Sequence, residues 1–155
     1  MSTTHTFTNV AGMIEFKHAL NQGSAETMQI GEAASQSATK AGDLVYLASG
    51  LAHIMADDGQ LLWGIAMEDC TGTTSNLINV LVVRPGDVFE VSASTAFLTV
   101  ANVGIKYALV PTAAGLWQLV SGDVTAPLVV VTKVISTTRA LVTFMPTVLQ
   151  YLVGA

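Results

Sequence analysis

Arg84-Pro-Gly-Asp-Val-Phe-Glu-Val-Ser-Ala-Ser94 is the stretch on which the fold is decided. Its Gly86-Asp87 pair reads as a turn, because Gly supplies a positive φ and Asp caps the turn backbone through its side chain. The apolar, β-prone run that follows reads as a strand. Lys40-Ala-Gly-Asp-Leu-Val-Tyr-Leu-Ala-Ser49 repeats the pattern, with Gly42-Asp43 in the same place 44 residues earlier (42 to 86). A third Gly-Asp begins at Gly122. A chain that repeats turn and then strand is winding a barrel, and Gly42, Asp43, Gly86 and Asp87 are its structural turns.

From Gly42 onward short runs of Val, Ile, Leu, Phe and Tyr alternate with Gly, Asp, Asn, Ser and Pro. The expected strands are 43–48, 60–67, 77–83, 87–92, 96–101, 105–110, 116–120, 128–135 and 139–144. In 105–110, Ile105, Tyr107 and Leu109 share one face. In 139–144, Ala140, Val142 and Phe144 oppose Arg139 and Thr143. Runs 77–83 and 128–135 are apolar on both faces, which asks for a second layer that a neighbouring subunit could supply. Strands this short and this evenly spaced indicate an all-β small barrel or sandwich.

Residues 1–36 differ from the rest in their Thr, Ser, Gln, Asn and Ala content. They read as an extended N-terminal arm ahead of a β-barrel domain at 37–155, with an ordinary first strand and loop as the alternative. Phe7, Met13, Ile14 and Phe16 are the candidate interface anchors of that arm. Met13 to Leu20 has room for a short helix between Gly12 and Gly23.

Charged residues make up 11% of the chain against roughly 25% in ordinary domains. A surface so poor in charge is explained by burial against other subunits, since obligate interfaces are depleted in charge. A membrane-spanning helix is not expected, because no apolar run approaches roughly 18 residues. Net charge is −5, and the six basic residues are scattered along the sequence, so nucleic-acid binding is not expected. The N-terminus lacks the pattern of a signal peptide, so synthesis in a cytoplasm without export by that route is expected.

No constellation reads as catalytic. Asp57-Asp58-Gly59 lacks the spaced oxygen ligands of a calcium loop and reads as a hairpin turn. Cys70, the single cysteine, follows Glu68 and Asp69, the opposite of what a reactive thiolate needs. His5, His18 and His53 have no metal-ligand spacing, and His53 reads as structural on a half-buried strand or turn. There is no Gly-x-Ser-x-Gly elbow, phosphate loop or dinucleotide fingerprint. Asp43 and Asp87 as an acid–base pair are explained by turn chemistry without catalysis. No cofactor, metal or enzymatic activity is expected.

Taken together, Lys40-Ala-Gly-Asp-Leu-Val-Tyr-Leu, Gly64-Ile-Ala-Met-Glu-Asp and Val80-Leu-Val-Val-Arg-Pro-Gly-Asp-Val-Phe-Glu-Val resemble the capsid decoration, or cement, proteins of tailed bacteriophages. Val103-Gly-Ile-Lys-Tyr-Ala-Leu-Val, Leu128-Val-Val-Val and Arg139-Ala-Leu-Val-Thr-Phe-Met-Pro-Thr-Val-Leu-Gln are similar to the closing strands and tail of that family. The resemblance covers about residues 38–150. It implies a β-barrel or β-tulip subunit, usually a homotrimer, made in the host bacterial cytoplasm and carried on the outer surface of the virion head. Its implied partners are the major capsid protein and further copies of itself, and its implied role is to stabilise the expanded capsid. The family has no catalytic residues, so none carry over. Other expectations left open are another phage structural subunit (a tail tube or a vertex or spike base) and, behind these, a small-molecule-binding β-barrel.

Overall fold

A computed structural model describes residues 14–18, 27–31, 39–55, 60–70, 77–84, 86–113, 115–122 and 128–145. The chain is all-β: among the described residues there are strands and one 3-10 turn, and no α-helix. The strands form two sheets. In the smaller sheet the order is β2 (Thr27–Gly31), β6 (Leu77–Val82), β5 (Gly64–Ala66), β3 (Leu44–Ala48) and β4 (Leu51–Ile54). Every pairing in it is antiparallel, and its outer strands β2 and β4 approach one another. The larger sheet runs β8 (Lys106–Tyr107), β11 (Val129–Ser136), β12 (Arg139–Phe144), β7 (Val88–Ala93), β10 (Leu116–Leu119) and β9 (Leu109–Ala113).

Strands β8 and β9 are consecutive in the chain and break only at Ala108. The segment 106–113 therefore pairs with β11 through its first part and with β10 through its second, which nearly closes the larger sheet into a barrel. Strand β7 is its spine. One edge pairs with β12 over Val88–Ser92. The other edge is shared end to end: β1 (Glu15–His18) lies antiparallel along Val88–Glu90, and β10 lies parallel along Ser92–Ala93.

Alternation fills the barrel. Phe89, Val91, Trp117, Leu119, Val142 and Phe144 point into one buried cluster, with the Phe89 and Phe144 rings edge to face at 5.1 Å. The same cluster takes Leu44, Ile65 and Leu81 from one face of the smaller sheet, so the two sheets share a core. The opposite face of the smaller sheet buries Val45, Ala52, Ala66, Ile78 and Val80 in a second cluster. In run 77–83, Ile78 and Val80 on one face and Leu81 on the other are thus buried within their own chain, while Leu77 at its start is 60% exposed. In run 128–135, Val129 and Val131 face inward, a register shift follows, and Ile135 is 45% exposed.

Several expected elements fall where the sequence places them, and 139–144 alternates as read. Three differ. Residues 96–101 are not a strand: bends lead into a 3-10 turn at Val100–Asn102, because Asn102 bonds back to Thr99 and curls the backbone. Leu51–Ile54, read for His53 only as a strand or turn, is a strand, returned from β3 by a two-residue loop in which Ser49 (φ 52°) and Gly50 (φ 76°) are both left-handed. The stretch read as having room for a helix at Met13–Leu20 contains strand β1. Within residues 1–36, both described stretches are strands, and Ile14 is fully buried in the main core.

Candidate interaction surface

The Gly-Asp repeats are turns of one geometry. Gly42 (φ 94°) and Gly86 (φ 90°) are left-handed, as is Gly122 (φ 81°). The Asp43 N–H donates to Lys40 O at 3.0 Å and the Asp87 N–H to Arg84 O at 3.2 Å, which closes each turn across four residues. Both aspartates are buried. Asp43 accepts from the Lys40 N–H at 2.8 Å and from the Gly115 N–H at 2.6 Å, 72 residues away. It thus ties the turn before β3 to the β9–β10 connection in the other sheet. A Cβ on Gly115 would lie 2.3 Å from Ala41 O, so the two loops touch backbone to backbone. Asp87 is paired with Arg84 at 3.4 Å, its next turn neighbour. Each carboxylate holds its own turn.

The remaining candidates are dispersed. Phe7 and Met13 lie outside the described residues, as do His5 and Asp57-Asp58-Gly59. Of Phe16 and His18 only the backbone, in β1, is described. Ile14, expected as an arm anchor for a neighbour, is instead buried in the core of its own chain because it leads directly into β1 beside β7. His53 stacks on Tyr46 across β3–β4, ring centroids 5.2 Å apart, with Nε2 buried and unpaired among the described residues. Cys70 is half-buried against the second cluster and donates its N–H to Thr39 O. Beside it, the Ala41 N–H and the Lys40 ammonium, 3.0 and 3.1 Å away, hold the exposed Asp69 carboxyl below its ordinary value. Among the described residues no group of three or more His, Cys, Asp or Glu is placed to hold a metal ion. No helix among them is long and apolar enough to cross a membrane.

What the fold does assemble is a surface. On the outward side of β8, β11 and β12, Lys106 lies opposite Val130 and Lys133 opposite Leu141. Arg139, on the same side, pairs with the buried Glu90 of β7. Three of the six basic residues, scattered in sequence, therefore share one sheet face. Beside it the 3-10 turn holds Val100 84% exposed, with Val103 and Ile105 exposed after it. That turn is locked. Asn102 Oδ1 accepts from the Thr99 N–H (2.7 Å) and hydroxyl (3.1 Å), and Asn102 Nδ2 donates to the Tyr107 hydroxyl at 2.6 Å. The N–H groups of Val103 and Ile105 are also satisfied within it. The sequence reading missed this feature because Phe97-Leu-Thr-Val carries strand-like composition. The signal that marks it is Thr99 three residues before Asn102, with Gly104 (φ 83°) ending the turn.

No family model matches this sequence, and no curated protein matches it.

Proposed function

We propose that this chain is a structural virion protein that decorates and cements the outside of an icosahedral phage head, stabilising the expanded capsid. The observation that carries the reading is the rigid apolar turn. A protein that works alone in water gains nothing from holding Val100, Val103 and Ile105 in a hydrogen-bonded loop facing solvent, whereas a subunit of an assembly gains a preorganised contact. The charge-poor composition and the resemblance of residues 38–150 to decoration proteins support the same reading. The small-molecule carrier loses ground, because the barrel interior is filled by Trp117, Phe89 and Phe144.

The mechanism is linkage. Contacts that form only on the mature lattice stabilise that lattice by mass action. Repetition within a trimer adds avidity, since one docked subunit raises the effective concentration of the others. The test is quantitative mass spectrometry of gradient-purified particles from the source of the gene, counting this chain against the major capsid protein. A ratio near one, or a simple fraction such as one-third, supports lattice-wide decoration. A handful of copies per particle indicates a tail or vertex part instead, and absence from particles overturns the virion reading.

A further inference from the structure

Most cations of the described residues are neutralised within the chain. Lys40 is paired with Asp69, Arg84 with Asp87 and Arg139 with Glu90. Lys106 and Lys133, both exposed, have no ion pair among the described residues. The fold brings these two to one face. Lys106 stands opposite Val130, and after the register shift in β11 Lys133 stands opposite Leu141, on the same outward side. The apolar turn is fastened to the edge of that face. The Gly104 N–H donates to Val131 O at 2.8 Å, and the Val131 N–H donates to Ile105 O at 3.0 Å. Val103 and Ile105 are therefore held exposed beside β11, with Lys106 next in the chain after Ile105. In a chain of net charge −5, the unneutralised cations run against the charge of the molecule as a whole.

We infer that the Val100 turn, Lys106 and Lys133 form the face by which this protein seats on the capsid lattice, and that the lattice meets it with an acidic, partly apolar protein surface. A surface that closes over Val100 and Ile105 also covers Lys106, since the two residues are consecutive. A covered cation without a carboxylate loses its hydration for no return. The chain's own described carboxylates do not reach Lys106 or Lys133, so charge complementarity requires the partner to bring them. A folded protein fits better than a bilayer, because Asn102 locks the turn, and a fixed shape gains affinity against a surface that is itself fixed. Two cations are few for a nucleic-acid backbone. The inference rests on the proposed capsid role and adds to it which face docks and what chemistry receives it.

The test titrates full-length protein onto expanded particles assembled without it, and measures the bound fraction after sedimentation. Val100→Asp, and Lys106→Glu with Lys133→Glu, each raise the dissociation constant at least tenfold. Lys106→Arg with Lys133→Arg stays within twofold of the wild type. Two controls change the same properties on the smaller sheet: Leu77→Asp and Lys40→Glu also stay within twofold. All these side chains are exposed, so far-UV circular dichroism and melting confirm that every variant is folded. Raising salt from about 0.1 to about 1 M, which shortens the Debye length from about 10 Å to about 3 Å, weakens the wild type more than the charge-reversed protein. A wild type that binds while Val100→Asp or the charge-reversed protein binds equally well overturns the inference and leaves the capsid role standing. Controls that lose binding as the face variants do overturn it as well. A wild type that does not bind the particles overturns both. Binding to vesicles of phosphatidylglycerol that is lost with Val100→Asp, in place of binding to particles, assigns the face to a membrane and likewise overturns it.

Discussion

Asp43 shows what a single side chain does in this fold. Its two oxygens take N–H groups from two different loops, so removing it strands the buried Gly115 N–H and releases the part-buried Lys40 N–H. Asp43→Ala is expected to cost about 2–4 kcal/mol in chemical denaturation, since hydrogen bonds to a charged acceptor contribute more than neutral ones. Asp69→Ala, exposed, is expected to stay within about 0.5 kcal/mol. Because the Asp69 carboxyl titrates below its ordinary value in the folded chain, its small contribution is present above the unfolded value. It is lost as pH falls through the folded one, so Asp69→Asn flattens the acid limb of the stability profile slightly. Gly115 and Gly122 provide a matched pair. Both are left-handed, so alanine carries a backbone cost of about 1 kcal/mol at each. Only at Gly115 does the new methyl collide with Ala41 O, so Gly115→Ala is expected to destabilise clearly more than Gly122→Ala in the same assay. The Gly-Asp turns were legible in the sequence because positive φ and side-chain capping are local properties. The bond from Asp43 to Gly115 was not, since nothing near either residue specifies a partner 72 positions away.

At the scale of elements, the 3-10 turn and strand β1 make separable predictions. Asn102→Ala deletes the bonds to Thr99 and Tyr107 without touching an apolar side chain. It is expected to cost about 1–2 kcal/mol and to speed amide exchange across residues 99–105. Strand β1 sets where the arm can be cut. Deleting residues 2–16 removes Ile14 from the core and half of a strand that pairs with β7, so the melting temperature falls. Deleting residues 2–12 spares both. On the proposed capsid role, retained capsid binding by that protein would remove Phe7 from the list of anchors. Strands with strict alternation, such as 139–144, were readable because inside and outside differ in kind along them. Residues 96–101 misread because Phe, Leu, Thr and Val favour strands, while one asparagine bonding three residues back was enough to bend the chain.

The whole molecule is a nearly closed barrel that shares its core with a second sheet. The all-β class and the charge-poor surface could be read from composition and spacing. Which basic residues share a face could not, because Lys106 and Lys133 reach the same face only through the pairing of β8 with β11. The position of β7 carries a last consequence, for synthesis. Its neighbours are β1, near residue 15, and β10 and β12, near residues 118 and 141. A ribosome must therefore release almost the entire chain before the spine strand has both edges covered. Contacts so distant in sequence make barrel closure slow. Until it happens the nascent chain carries an open apolar strand, and chaperone occupancy during translation should persist until β12 emerges.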